Sequence, residues 1–207
     1  MFKGNKLIVL LPLTLMIFLF IGGGFYINQA EEVTNENLSE EVQWDSTLEP
    51  TENGARLTAS WEWGHMPSDG LHGTDYIGIT FLDENGEPMT GDQVERAELL
   101  LDLNNEEERS IEPETTSDGV LFAVPNEMED NQAIGSSGTI DVRMSSNPEN
   151  KRVVMSYLHT WEEHGGLETS NTRFFDPSFH DKNGSSFYWV IEHFVERGPN
   201  TAEEESA

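Results

Sequence analysis

Four of the six histidines fall in two aromatic segments, WEWGHMPSDGLHG at 61–73 and HTWEEHGG at 159–166. Imidazole with thioether suits copper and imidazole with carboxylate suits zinc, so His65, Met66, His159 and His164 are the candidate ligands for a divalent metal. They could share an ion only if the strands carrying Trp63 and Trp161 are neighbours whose ends converge. The spacing gives no help. His159 and His164 match neither the i, i+4 pair of a metal-binding helix nor an alternating strand pair, and HTWEEH is not the HExxH of zinc proteases. Without that convergence, His65 and His159 simply end their strands and meet solvent or a carboxylate.

Carboxylates are so numerous that pairs such as Glu62 with Glu162 are expected by chance, and glycoside hydrolysis would need two of them facing across a cleft. No nucleophile-elbow serine motif, phosphate-binding glycine loop or dinucleotide fingerprint occurs. Catalysis is therefore not the leading expectation, and no cofactor is called for beyond the metal alternative. Recognition is. The loop after the tryptophans offers Met66, Asp69, Leu71 and His72 as candidate partner-binding residues, because loops held by a rigid β scaffold are where contacts concentrate. Trp61 and Trp63 belong to the core, on the alternation of the strand that carries them.

The elements that must position these residues are strands. LTASWEWGH puts Leu57, Ala59, Trp61 and Trp63 on one face and polar residues on the other. YIGITFL (76–82), AELLLDL (97–103), GVLFAV (119–124) and TIDVRM (139–144) alternate in the same way, and RVVMSYLHTW lines up Val153, Met155, Tyr157, His159 and Trp161. Each is short and bounded by turn residues. Spacing of this kind predicts an all-β fold, an Ig-like β-sandwich of about seven to eight strands. The last segment, 186–197, reads as a strand but also has helical spacing with possible caps at both ends, so a helix stays open there.

Residues 7–27 carry no charge and come after Lys3 and Lys6. A helix of that length reaches across the roughly 30 Å apolar layer of a bilayer. The expected order is a cytoplasmic end at 1–6, a transmembrane anchor or uncleaved signal at 7–27, and an acidic stalk at 28–53. The exported sandwich domain comes next at 54–198, with an acidic tail at 199–207. A cleaved signal is the other reading of 7–27. Either way the positive-inside preference sends the bulk of the chain outside a cell membrane that it crosses once.

The chain holds 39 Asp and Glu against 11 Lys and Arg, a net charge of −28, and no cysteine. No disulfide supports the fold. Such a surface repels phosphate backbones, which excludes nucleic acid as a partner. The acids are spread along the exported region and lysine is scarce, a pattern expected of a halophilic source, where salt screens self-repulsion. Cation chelation and plain solubility remain the other readings of the acidity. The function expected is a membrane-anchored, extracytoplasmic binding or scaffolding domain of the cell envelope, with an envelope or surface protein as partner. The copper- or zinc-binding domain is the alternative.

Overall fold

A computed structural model describes residues 6–27, 32–103, 107–129, 132–145, 152–168 and 171–196. The expected cytoplasmic residues 1–5, the start of the stalk at 28–31 and the tail at 199–207 lie outside them. The chain divides into two compact units, Met1–Val33 and Thr34–Ala207.

The first unit contains helix α1, Lys6–Ile27, with Pro12 inside it. Its side chains are described over 11–21, where the large apolar ones are exposed. Among the described residues no helix is long and apolar enough to cross a membrane, so the expected span at 7–27 finds no support there.

The second unit is an all-β sandwich. Its strands are β1 (Val42–Thr51), β2 (Gly54–Trp63), β3 (Thr74–Leu82), β4 (Val94–Leu103), β5 (Glu107–Ile111), β6 (Glu114–Thr115) and β7 (Val120–Pro125), then β8 (Glu127–Glu129), β9 (Gln132–Ile134), β10 (Ser137–Met144), β11 (Arg152–Thr160) and β12 (Tyr188–Glu196). One five-stranded sheet runs β1-β2-β10-β4-β5 and the other β12-β11-β3-β7-β6, with β8 and β9 as a separate hairpin. The pairings are antiparallel. The number of strands therefore exceeds the seven or eight expected from the sequence. The last segment is strand and not helix, paired with β11 from Tyr188 to Glu196.

The stalk expected at 28–53 is shorter than its composition implied. Residues 42–51 form β1 and pair along their whole length with β2, Trp44 opposite Trp61 and Leu48 opposite Leu57. Exposed positions alternate with more covered ones as far as Leu48, so an edge strand with an acidic outer face passed for a polar linker. Upstream of it, Asn35 and Leu38 are already buried.

Between the sheets, Leu57, Ala59, Trp61 and Trp63 of β2 meet Ile77, Ile79 and Phe81 of β3 and Val153, Met155 and Tyr157 of β11, all buried. The Trp61 indole N–H donates to the Gly135 carbonyl at 3.1 Å, which satisfies the one polar atom of the ring. β3 and β11 do not alternate in burial: after their first residues both are covered on both faces. The second cover comes from the connection between β11 and β12, described over residues 161–168 and 171–187. It lays Phe174, Phe179 and Phe187 onto Tyr76, Leu121 and Leu158 on the outer face of the second sheet.

Candidate functional site

Polar chemistry concentrates at one end of the sandwich, where β3, β11 and the chain ahead of β1 meet. Asp75 and His159 are both 0% exposed. One Asp75 oxygen, Oδ2, accepts from the Tyr157 hydroxyl at 2.7 Å and lies 3.0 Å from His159 Nδ1. Oδ1 accepts from the Thr160 N–H at 3.0 Å and from Asn126 Nδ2 at 3.2 Å. With the donors Tyr157, Thr160 and Asn126 the buried carboxylate is satisfied on both oxygens, as the low-dielectric interior demands. Burial and the adjacent Asp75 push the Tyr157 hydroxyl well above its ordinary range, so it keeps its proton and remains a donor.

The other side of the His159 ring is met by Asn35. Its Nδ2 donates to Asp69 Oδ1 and to the Gly70 carbonyl, both at 2.9 Å, which leaves Oδ1 to accept from His159 Nε2 at 3.0 Å. The Asn35 N–H also donates to Asp69 Oδ1, and its carbonyl accepts from the Trp189 indole at 2.7 Å. Five hydrogen bonds thus converge on one residue of a segment whose composition reads as linker. Around them the Trp189, Trp161 and Trp63 rings lie 4.8, 5.7 and 5.5 Å from the His159 ring. Asp75 and His159 are sealed from solvent and bonded on both sides, while Asn126 Oδ1 and the Trp63 indole nitrogen have no partner among the described residues, so the hub fixes structure and offers no open position to a substrate.

The candidate metal ligands do not converge. His65 is exposed and its Nδ1 lies 2.7 Å from Glu41 Oε2. Met66 points outward, 49% exposed. His159 has both nitrogens engaged inside the hub. His164 lies on the far face of the second sheet: Nδ1 accepts from the Gly166 N–H at 3.1 Å, so Nε2 carries the proton toward Thr160 Oγ1 at 3.2 Å. Burial lowers the His164 pKa. Among the described residues no group of three or more His, Cys, Asp or Glu is placed to hold a metal ion. The physical reason is the strand period, which turns His159 inward and Thr160 outward and leaves His65 beyond the end of β2.

The candidate contact loop is divided between the hub and solvent. Asp69 is spent on Asn35, and Leu71 is 5% exposed and part of the core. Met66, Asp69 and His72 face solvent, and Leu71 does not. The loop closes the hub.

A solvent-open concavity lies elsewhere, where the cover 161–187 stops short of the edge of the second sheet. It encloses about 280 Å³. Leu121, Ala123, Leu167 and the ring of Tyr76 supply its apolar wall, and Glu112, Glu114 and Glu168 its rim. Burial raises the pKa of the Tyr76 hydroxyl, which keeps its proton. Glu168 pairs with His180 at 3.0 Å. Among the described residues neither Glu112 nor Glu114 has a cationic partner.

The cover is held by construction. Thr172 is completely buried, its Oγ1 is 2.5 Å from Thr80 Oγ1, and its N–H donates to the Asp118 carboxylate. It reaches that depth because Gly78 has no side chain: a Cβ there would come within 1.9 Å of the Thr172 carbonyl oxygen. Beyond Thr172 the backbone turns through left-handed residues, Phe174 at φ 53° and Asp176 at φ 52°. A phenylalanine in that region is strained, and here its ring reaches the outer apolar cluster. Arg173 forks onto Glu192 at 2.7 and 2.8 Å and lies 4.7 Å from the centre of the exposed Phe175 ring.

Neither the hub nor the concavity is visible in the sequence. For the hub the only local signal is inward-facing His159 at the end of an apolar strand, since Asp75 lies 84 residues away. For the concavity there is none, because residues 161–187 carry no period.

No protein-family model and no curated protein matches the chain. A solved structure described as "AvmM Catalyzes Macrocyclization in Alchivemycin A Biosynthesis" is similar to it with 11% identity and a TM-score of 0.33, over 78% of this chain and 92% of that one. A likeness of that size carries no argument about architecture or activity.

Proposed function

We propose that the chain is an extracytoplasmic binding domain of the cell envelope, held to the membrane by residues 7–27 and recognising a surface or envelope protein. The observation that carries the reading is the division of labour between two places. The cluster rich in titratable groups is closed to solvent, whereas the open concavity has apolar walls, unpaired carboxylates and no nucleophile–base pair. That set of groups suits binding.

The anchor rests on the uncharged stretch after Lys3 and Lys6 and on the acidity of the chain beyond residue 27. An Ig-like ancestry is part of the same reading. The order β1-β2-β10-β4 matches A-B-E-D, and β12-β11-β3 matches G-F-C. The chain departs from that scheme in forming β4 before β7.

The test is photo-cross-linking in the protein's own envelope, with a benzoylphenylalanine at position 123 in the concavity or at position 49 on the exposed edge of β1. A distinct adduct from position 123 alone supports the reading. No adduct, or the same adducts from both positions, removes it. The anchor is checked by carbonate extraction: full-length chain retained in the pellet supports it, and a soluble chain lacking its first residues replaces it with a cleaved signal.

A further inference from the structure

The two sheets end in four edge strands, β1, β5, β6 and β12. Natural edges are guarded by charge, proline, a bulge or shortness. β1 carries exposed Asp45 and Glu49 and then Pro50, β5 is the charged EERSI, and β6 is two residues long. β12 lacks these guards. It reads YWVIEHFVE, nine residues without lysine, arginine or proline, and it pairs with β11 from end to end with no shift of register. Its two glutamates are each paired with an arginine, Glu192 with Arg173 and Glu196 with Arg152.

The ladder shows which backbone groups of β12 are free. The Trp161 N–H donates to the Phe187 carbonyl at 3.1 Å, one step beyond the Thr160–Tyr188 pair. Bonding residues alternate in an antiparallel ladder, so Trp189, Ile191, His193 and Val195 also turn their backbone toward β11. The Thr160 N–H agrees, since it points the other way, to Asp75 of β3. Tyr188, Val190, Glu192, Phe194 and Glu196 therefore direct N–H and C=O outward, and among the described residues no backbone group outside the sheet bonds to them.

The side chains along this edge suit a second copy of the chain. Phe194 is 53% exposed and Phe175 of the cover 62%, with the Arg173 guanidinium 6.0 and 4.7 Å from their ring centres. Among the described residues outside α1, both exposed phenylalanines stand here. The strand is also complementary to itself. Laid antiparallel on a second β12 with Ile191 on the two-fold axis, Tyr188 faces Phe194, Trp189 faces His193 and Val190 faces Glu192. In that register the outward-bonding residues meet one another. Charge permits the approach: on a chain of −28, the two arginine pairs leave this edge locally balanced.

We propose that two copies of this chain associate through β12, antiparallel about Ile191, so that their second sheets join into one continuous sheet. This stands apart from the partner-binding reading, because the concavity lies toward the other end of the strand order.

The chain has no cysteine, so single cysteine substitutions report the contact directly. The full chain in detergent micelles, at about 2 M KCl to screen its charge, is mildly oxidised and scored for disulfide-linked dimer. Ile191→Cys lies opposite itself in a non-hydrogen-bonded pair, where Cα atoms at ~4.5 Å are within a disulfide's span, and should cross-link. Val190→Cys should not, because its own copy sits diagonally at ~7–8 Å. Ala123→Cys, exposed toward the far side of the same sheet, should stay monomeric. Adding Val190→Pro to Ile191→Cys removes an outward N–H and no bond to β11, so the urea midpoint should hold while cross-linking falls about tenfold. Phe194→Lys in the same background covers the case in which the proline disturbs folding. It replaces an exposed ring and lowers the net charge, so the expected loss of about fivefold reflects the missing Tyr188 contact and not repulsion. No dimer with Ile191→Cys, equal cross-linking at positions 190 or 123, or full cross-linking in both double variants would overturn the proposal.

Discussion

At the scale of single residues, Asn35 and Asp75 determine whether one end of the sandwich stays closed. Truncating Asn35 to alanine leaves His159 Nε2 without its buried acceptor, which costs about 1–3 kcal/mol. Asp75→Ala removes the shared acceptor of Tyr157, Thr160 and Asn126 and leaves three buried donors unpaired at about 1–3 kcal/mol each, a larger loss than that of Asn35→Ala. Urea unfolding of the two variants checks both values and their order. His164 supplies a pH dependence. Its native pKa lies below the ordinary value of about 6.5, because burial disfavours the charged ring and Nδ1 is already an acceptor. The unfolded chain therefore binds the proton first, and stability falls as pH drops below about 6.5 toward the lower native value. A His164→Gln variant should show a flatter dependence of the urea midpoint between about pH 7.5 and 5.5. Alternation along β11 put His159 on the face of Val153, Met155 and Tyr157 but did not give its complete burial, since a strand end was expected to meet solvent, a carboxylate or a metal. Its partners were not legible, because alternation reports which way a side chain points and is silent on what arrives from another strand.

At the scale of elements, the strands with a clean period of two were legible and the covering layer was not. β2, β3, β10 and β11 fall within a few residues of their expected positions, since each contrasts apolar and polar faces or is apolar on both. β5, EERSI, was invisible because its composition is that of a turn. β1 was misread for the related reason that its outer face is polar and acidic. Residues 161–187 have scattered aromatics with no repeat, and their position depends on a space under Thr172 that only a glycine at 78 leaves open. Gly78→Ala should therefore lift the cover selectively. New protease cleavage within 161–187 is expected, with a loss of about 1–3 kcal/mol from the clash. Limited proteolysis with mass mapping reads the first effect, and unchanged cleavage there would show that the glycine does not hold the cover down.

At the scale of the whole molecule, charge outweighs any single contact. A net charge of −28 with no disulfide leaves the compact state opposed by its own repulsion. Raising KCl from about 0.1 M to 2 M shortens the screening distance from about 10 Å to below 3 Å, and the melting temperature should rise with it. A flat response would separate the acidity from salt adaptation. The same charge is legible from composition alone, although composition does not tell which carboxylates stand without a cationic partner at the concavity. The knot at Asn35 also bears on mechanics. Tension applied to the sandwich through its N-terminal end would load the five hydrogen bonds of Asn35 together before it reached the β1–β2 ladder, so the entry point of the chain acts as a clamp against pulling and keeps traction away from the rest of the fold.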